Sequence, residues 1–120
     1  NRNCENYPTH ELGPIAKILD INRGNRMLSL TSISSGAFGL NAYAEQNEKV
    51  NPELKTFRFA QGDVVKTNIR CAGGELISLT LDTTLPRNYS RNFIVRGTKG
   101  QIGAPIVIER RQNLQLPVWR

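Results

Sequence analysis

The sequence has few of the residues on which metal sites depend. It contains 120 residues with two cysteines, Cys4 and Cys71, and one histidine, His10. A structural zinc site usually takes four Cys or His ligands, so this chain cannot build one by itself. The two cysteines form no CxxC pair, and nothing in the sequence supports a disulfide between them. We predict instead that Cys71, which lies in a strand-like segment, is a small buried residue.

Long apolar segments are also missing, and we expect no signal peptide in these residues. No apolar run approaches the roughly 20 residues of a membrane helix. The first five residues are polar and lack the apolar region of a signal peptide, and the chain does not begin with Met. We therefore expect a piece of a longer protein whose compartment this sequence does not reveal. Its length suits one domain, spanning residues 1–120.

The net charge of +6 raises the question of nucleic-acid binding. The cations are scattered along the chain and mixed with Asp and Glu, and no basic run or known nucleic-acid-binding motif appears. We predict neither nucleic acid nor a membrane as a partner. A basic surface that faces solvent or a more acidic partner domain explains the charge.

Apolar periodicity predicts a helix near the start of the chain. Apolar residues repeat at i, i+3, i+4 and i+7, namely Leu12, Ile15, Ala16 and Leu19. Gly13-Pro14 fits the first turn of this helix, and residues 22–25 predict its end. Residues 26–34 alternate and predict a strand, residues 39–48 predict a short helix, and residues 51–52 predict a break.

The rest of the chain shows strand patterns separated by turns. Strands are predicted at residues 57–59, 65–71, 76–81, 93–95 and 106–108, with a two-residue hairpin turn at Gly73-Gly74 and another turn over residues 97–100. Hairpin-linked strands after a helical segment predict an α+β fold: a mainly antiparallel open β-sheet with one or two helices packed on one face. The other face is then available to a partner domain or a second subunit.

His10 is the main candidate for chemistry, because histidine is the residue type that exchanges protons near neutral pH. It lies just before the predicted helix and close to Tyr7, while Tyr89 lies in a segment that can close a loop over a site. A structural histidine and an aromatic ring that anchors a turn are the alternatives. The glycines at 97, 100 and 103 match neither a Walker loop nor a dinucleotide-binding fingerprint, so we interpret them as part of a hairpin.

Two segments resemble family 109 glycoside hydrolases of the Gfo/Idh/MocA superfamily. Residues 6–27, NYPTHELGPIAKILDINRGNRM, are similar to that family's YPTHGLGPVA segment, following helix and INRGDRM turn. Residues 61–100 include LPRNYSR and end in VRGTKG, and they resemble the family's TTPRPYSR-like turn and VxGTKG ending. The match covers most of residues 1–103, and the ordered set of motifs is more specific than any one of them.

The resemblance implies a bacterial parent protein with an N-terminal Rossmann domain that holds NAD and is absent from this chain. The present C-terminal domain would supply substrate contacts and a homodimer interface. The implied reaction is hydrolysis of an N-acetylgalactosamine-like glycoside by transient oxidation at C3, elimination and water addition, with the hydride returned at the end. Because the chain lacks a Rossmann fingerprint, we expect it to bind no NAD by itself. Because the cofactor carries the chemistry, we also expect the chain alone to be inactive.

The resemblance also assigns residues. Tyr7 and His10 match the Tyr and His of the YPTH segment, which line the sugar site. It implies that His10 bonds or transfers a proton to a sugar hydroxyl and that Tyr7 is a sugar contact or acid/base partner. Arg87 and Tyr89 are implied as further substrate-binding residues by the PRxYSR match.

Departures from the family pattern bear on which sugar is the substrate more than on membership of the superfamily. Glu11 stands where the family has Gly, Lys17 replaces an aromatic residue, and Cys4-Glu5 stands where a Gly is expected. The tail after Ile102 does not follow the family pattern.

Besides the glycosidase, two functions stay open: a C-terminal domain of a sugar or polyol NAD(P)-dependent oxidoreductase, and a non-enzymatic sugar-binding or dimerisation module.

Overall fold

The computed structural model describes residues 2–103 and 107–109 of the chain. This part contains three helices and six strands. The helices are α1 (Thr9–Ile18), α2 (Gly39–Gln46) and α3 (Pro52–Lys55). The strands are β1 (Met27–Ser34), β2 (Val64–Cys71), β3 (Leu76–Asp82), β4 (Ile94–Arg96), β5 (Gly100–Gly103) and β6 (Val107–Glu109).

Every strand pair is antiparallel, which confirms the α+β prediction with a mainly antiparallel sheet. The strands are divided between two three-stranded sheets, ordered β1-β2-β3 and β4-β5-β6. Residues 83–93, between β3 and β4, have no regular structure. The hairpin signals in the sequence predicted consecutive strands, but they did not predict this division.

The core lies on one face of the first sheet. The predicted alternation along β2 is confirmed, since Val65, Thr67, Ile69 and Cys71 are all buried. Ile69 pairs with Ile77 across to β3. Helix α1 covers this cluster with a set of apolar residues at helical spacing, namely Leu12, Ile15 and Leu19, followed by Ile21. Cys71 is fully buried and unbridged, as predicted, and Cys4 is also a free thiol.

Helix α1 starts earlier than its sequence predicted. It begins at Thr9, so Pro14 lies inside the helix, and the prediction that Gly13-Pro14 forms its first turn is wrong. The first turn, Thr9-His10-Glu11, is polar and therefore gave no apolar signal, since the apolar repeat begins only at Leu12. Pro14 has no N–H, so it cannot donate the usual helical bond to the carbonyl of His10.

The turn after α1 is held by one amide side chain. Asn25 Nδ2 donates to the Leu19 carbonyl at 3.0 Å and to Glu75 Oε2 at 2.8 Å. Its Oδ1 accepts from the backbone N–H of Arg26 at 2.9 Å and of Gly73 at 3.0 Å. Asn25 therefore joins the end of α1 to the β2–β3 hairpin, which fixes the helix over the core.

The β2–β3 turn and the segment before β2 differ from the sequence predictions. The hairpin loop has three residues, 72–74, because Cys71 N–H bonds the Glu75 carbonyl at 2.9 Å; Gly74 takes the positive φ of 94°. Residues 57–59 form no strand. The rings of Phe57 and Phe59 instead meet edge to face, with centroids 4.9 Å apart.

The remaining sequence predictions concern α2, α3, the turn between β4 and β5, and β6. The predicted short helix after Phe38 is confirmed as α2. Asn51-Pro52 starts the one-turn helix α3 rather than breaking the chain, since Asn51 Oδ1 accepts from Glu53 N–H at 3.1 Å. The turn over residues 97–100 is confirmed by the bond from Gly97 N–H to the Gly100 carbonyl at 2.8 Å. The last predicted strand is found as β6, but residue 106 and the tail from 110 lie outside the described residues.

Candidate functional site

A cavity of about 790 Å³ lies between the start of α1, strand β3 and residues 87–96. Its volume is in the usual range for small-molecule sites, roughly 300–1,000 Å³. All four residues assigned to the site from the sequence line this cavity: Tyr7, His10, Arg87 and Tyr89. The fold thus brings together two segments about 80 positions apart in the sequence. The chemical roles of these residues stay predictions.

Tyr7 and His10 form one wall. Their ring centroids lie 5.3 Å apart with the planes tilted by 54°. His10 stands in the first turn of α1, and Tyr7 stands two residues before the helix begins. Both side chains are exposed, with 60% of Tyr7 accessible. An imidazole and a phenol so placed can both bond to one bound sugar and exchange protons with it.

A second wall of the cavity is the connection between the two sheets. Tyr89 is 82% exposed, and its hydroxyl accepts a bond of 3.1 Å from Arg91 Nε. Arg91 Nη1 lies 3.7 Å from Glu11 Oε1, on the turn of α1 that also carries His10. The hydrogen bond to Tyr89, followed by the Glu11 carboxylate, raises the pKa of Arg91. Arg91 therefore links Tyr89 to the helix that carries His10.

Arg87 bonds mainly within its own segment. Its Nη1 donates to the carbonyls of Asn88 and Ser90, each at 3.2 Å, and its Nε lies 3.4 Å from Asp82 Oδ2. This arrangement stabilises the turn that presents Tyr89. It leaves Arg87 in the lining of the cavity, with its guanidinium engaged by the protein itself.

Sequence reasoning missed two members of this site. Arg91 was treated as one of many scattered cations, although it belongs to the same LPRNYSR segment as Tyr89. Glu5 lines the cavity too, and burial, together with the nearby Glu11, raises the pKa of its carboxyl. One oxygen of Glu5 is buried without a hydrogen-bond partner in the described part of the chain. The only sequence signal near Glu5 was that Cys4-Glu5 stands where the resemblance implies a Gly.

The described residues contain no group of three His, Cys, Asp or Glu side chains that could hold a metal ion. Among these same residues, no helix is long and apolar enough to cross a membrane. Gly97 and Gly100 bound the β4–β5 turn and Gly103 ends β5, so these glycines do not form the strand-to-helix loop of a dinucleotide site.

Comparison with known proteins identifies relatives of this chain. Residues 1–116 match the family described as "Glycosyl hydrolase 109, C-terminal domain". An alpha-N-acetylgalactosaminidase of Tannerella forsythia is 44% identical over 99 residues, which is 82% of this chain and 21% of that protein. A glycosyl hydrolase family 109 protein of Parabacteroides distasonis is 45% identical over 100 residues, covering 83% of this chain and 22% of that protein.

A third relative is a glycosyl hydrolase family 109 protein of Stenotrophomonas maltophilia, 45% identical over 101 residues. It is covered to the same extent, with 82% of this chain matching 22% of that protein. The chain thus spans about a fifth of the length of the curated relatives it matches.

Proposed function

Because the chain belongs to glycosyl hydrolase family 109, we propose that it forms the substrate side of a glycosidase that acts on an N-acetylgalactosamine-like glycoside. The observation that carries this proposal is the shared cavity. Tyr7 and His10 from the start of the chain line it together with Tyr89 from the inter-sheet connection. A cavity with aromatic walls and a few polar groups suits a sugar ring.

Each wall has a proposed task. His10 bonds a sugar hydroxyl and moves its proton, and Tyr7 orients the same sugar and shares in the proton transfer. Tyr89 closes the second wall, held by Arg91. NAD would supply the reversible removal of hydride, and the described residues offer no glycine-rich loop to hold it. We therefore assign its binding to a Rossmann domain in the remainder of the parent protein, which this chain would contact.

The test is made on the parent protein with p-nitrophenyl α-N-acetylgalactosaminide and no added cofactor. Wild type should release p-nitrophenol, and His10→Ala should lower kcat/KM by about 100-fold or more because it removes a proton-transfer group. Lys17→Ala is the matched control, an exposed position on the same helix that is not part of the cavity lining. A wild type that releases no p-nitrophenol, yet forms NADH from free sugars and NAD, would establish the oxidoreductase instead.

We also propose that strand β1 contacts a second subunit. Leu30 and Ile33 on this edge strand are 64% and 77% exposed, and exposed apolar residues on a sheet edge favour association. The sedimentation coefficient of the parent protein should indicate a dimer. Ile33→Asp should weaken this dimer, and Thr31→Asp, on the same face of β1 as Ile33, should weaken it less. A monomeric wild type would contradict this interface.

A further inference from the structure

Asp63 is a charged residue buried away from the candidate site. Only 1% of it is exposed, and its carboxylate accepts three hydrogen bonds. Oδ2 accepts from Phe38 N–H, and Oδ1 accepts from Gly39 N–H and Thr84 Oγ1, all at 2.9 Å. Burial acts to raise the pKa of Asp63, but these three bonds outweigh it and lower the pKa below its ordinary value.

These bonds join the start of α2 to the root of the inter-sheet connection. The Asp63 carbonyl accepts from Thr83 N–H at 2.9 Å and from Thr83 Oγ1 at 3.2 Å, which doubles the attachment. The approach is close. A Cβ on Gly39 would lie 2.6 Å from Thr84 Oγ1, so a larger residue there would displace Thr84. Thr83 and Thr84 are thus bonded to Asp63 immediately before the segment that carries Arg87 and Tyr89.

The two residues before Asp63 hold the other wall. Gln61 Oε1 accepts from Cys4 N–H at 3.2 Å and from Asn6 Nδ2 at 3.1 Å, and Gln61 Nε2 donates to the Cys4 carbonyl at 3.0 Å. Gly62 N–H bonds Asn3 Oδ1 at 2.9 Å. This N-terminal segment leads directly to Tyr7 and His10. Residues 61–63, which we call the tether segment, thus contact the roots of both cavity walls.

The other attachments of the inter-sheet connection are weaker. The Arg87–Asp82 and Arg91–Glu11 pairs are 3.4 and 3.7 Å long and partly exposed, and solvent-screened pairs of this kind contribute little. The Thr84 hydroxyl instead bonds the carboxylate of the buried Asp63 at 2.9 Å, and a hydrogen bond to an ionised group is stronger than one between neutral groups. We propose that the tether segment is a positioning element for the glycosidase: Gln61 sets the wall of Tyr7 and His10, and Asp63, through Thr84, sets the wall of Tyr89. This inference rests on the proposed function.

Three variants of the parent protein separate positioning from folding. Thr84→Val removes only the hydroxyl that bonds Asp63 and leaves the bonds from Phe38 N–H and Gly39 N–H to Asp63 in place, whereas Thr84→Ser keeps the hydroxyl. Gln61→Leu removes the bonds to Cys4 and Asn6 at nearly constant volume. Thr31→Val and Gln46→Leu are matched controls, because both residues are exposed and lie outside the cavity.

Kinetics with p-nitrophenyl α-N-acetylgalactosaminide give the first measurement. Thr84→Val should raise KM by about tenfold, the effect of losing one bond to a charged group, with a melting temperature near that of wild type. Thr84→Ser should restore the wild-type KM, and Gln61→Leu should lower kcat by a similar factor because it displaces His10. Thr84→Val or Gln61→Leu with wild-type kinetics would overturn the proposal for the corresponding wall.

Trypsin provides a measurement that needs no activity. It cleaves after Arg87 and Arg91, and the half-life of these two sites in the native protein should fall about tenfold in Thr84→Val but not in Thr31→Val. Equal half-lives in wild type and Thr84→Val would overturn the positioning role. If the sites open in Thr84→Val while wild type has no glycosidase activity, the proposed function fails and the tether between Asp63 and Thr84 stands.

Discussion

The carboxylate of Glu11 lies 3.7 Å from the guanidinium of Arg91, which joins the first turn of α1 to the segment that carries Tyr89. The resemblance described above implies Gly at the position of Glu11, and a glycine could not form such a link. The cavity of this protein is therefore crossed at its rim by a charged pair. Because the side chains of Arg91 and Glu11 are 58% and 36% exposed, solvent screens this link, which is therefore weak and depends on ionic strength.

Glu11→Gln should raise KM by no more than about fivefold, since an exposed ion pair contributes only about 1 kcal/mol or less. Raising the salt concentration should raise the KM of wild type and leave that of Glu11→Gln nearly unchanged, because only wild type has the pair to screen. The measurement is KM of the parent protein against ionic strength. Glu45→Gln, an exposed residue of α2, is the control. Identical salt dependence in wild type and Glu11→Gln would show that the pair has no part in binding.

Tyr7→Phe should lower kcat/KM of the parent protein by about 10–100-fold if the hydroxyl bonds the sugar in the transition state. The ring remains, so its contact with His10 is kept. Tyr43→Phe removes the same hydroxyl from an exposed tyrosine of α2 and should have no effect. Should Tyr7→Phe be as active as wild type, only the ring of Tyr7 matters.

Asn25→Ala should lower the free energy of unfolding by about 1–3 kcal/mol, because it leaves several backbone groups of the α1–β1 turn and of the hairpin without partners. Urea denaturation followed by circular dichroism measures this difference. Asn68→Ala removes an exposed amide that bonds Ser78 on the sheet surface, and it should cost much less. Equal losses in both variants would contradict the central role of Asn25.

The pKa of Asp63 predicts an acid-dependent stability. Because the folded state lowers this pKa, the stabilisation is complete above the ordinary value of 3.8 and is lost as the pH falls below it, towards the lowered value. Asp63→Asn should be less stable than wild type at pH 7, and the difference should shrink below pH 3.8. Urea denaturation at a series of pH values measures it. A difference that does not change with pH would contradict the role of the Asp63 charge.

Sequence patterns correctly predicted those strands and helices that depend mainly on neighbouring residues. The alternation of Val65, Thr67 and Ile69 fixed β2 and its buried face, because side chains of a strand alternate between faces. Phe57 and Phe59 alternate too, but a strand also requires a partner strand, and no strand among the described residues pairs with them. Pattern alone does not reveal that partner.

The candidate site was predictable where it followed a motif and hidden where it depended on long-range contacts. Tyr7, His10, Arg87 and Tyr89 came from two motifs, and the fold places them together. Asp63 gave only a turn signal in the sequence. Its partners lie more than 20 positions away on either side, at Gly39 and Thr84, so no local rule could reveal them.

Residues 87–93 of the cavity lining belong to an irregular segment, whereas α1 and β3 supply lining residues that also belong to the apolar cluster, among them Leu19, Ile77 and Leu79. Residues 85–93 in particular contain no ladder bonds that a change of length would break. This connection can therefore change in length or sequence without breaking the β2–β3 ladder, so the wall that carries Tyr89 can vary while the scaffold behind it stays intact.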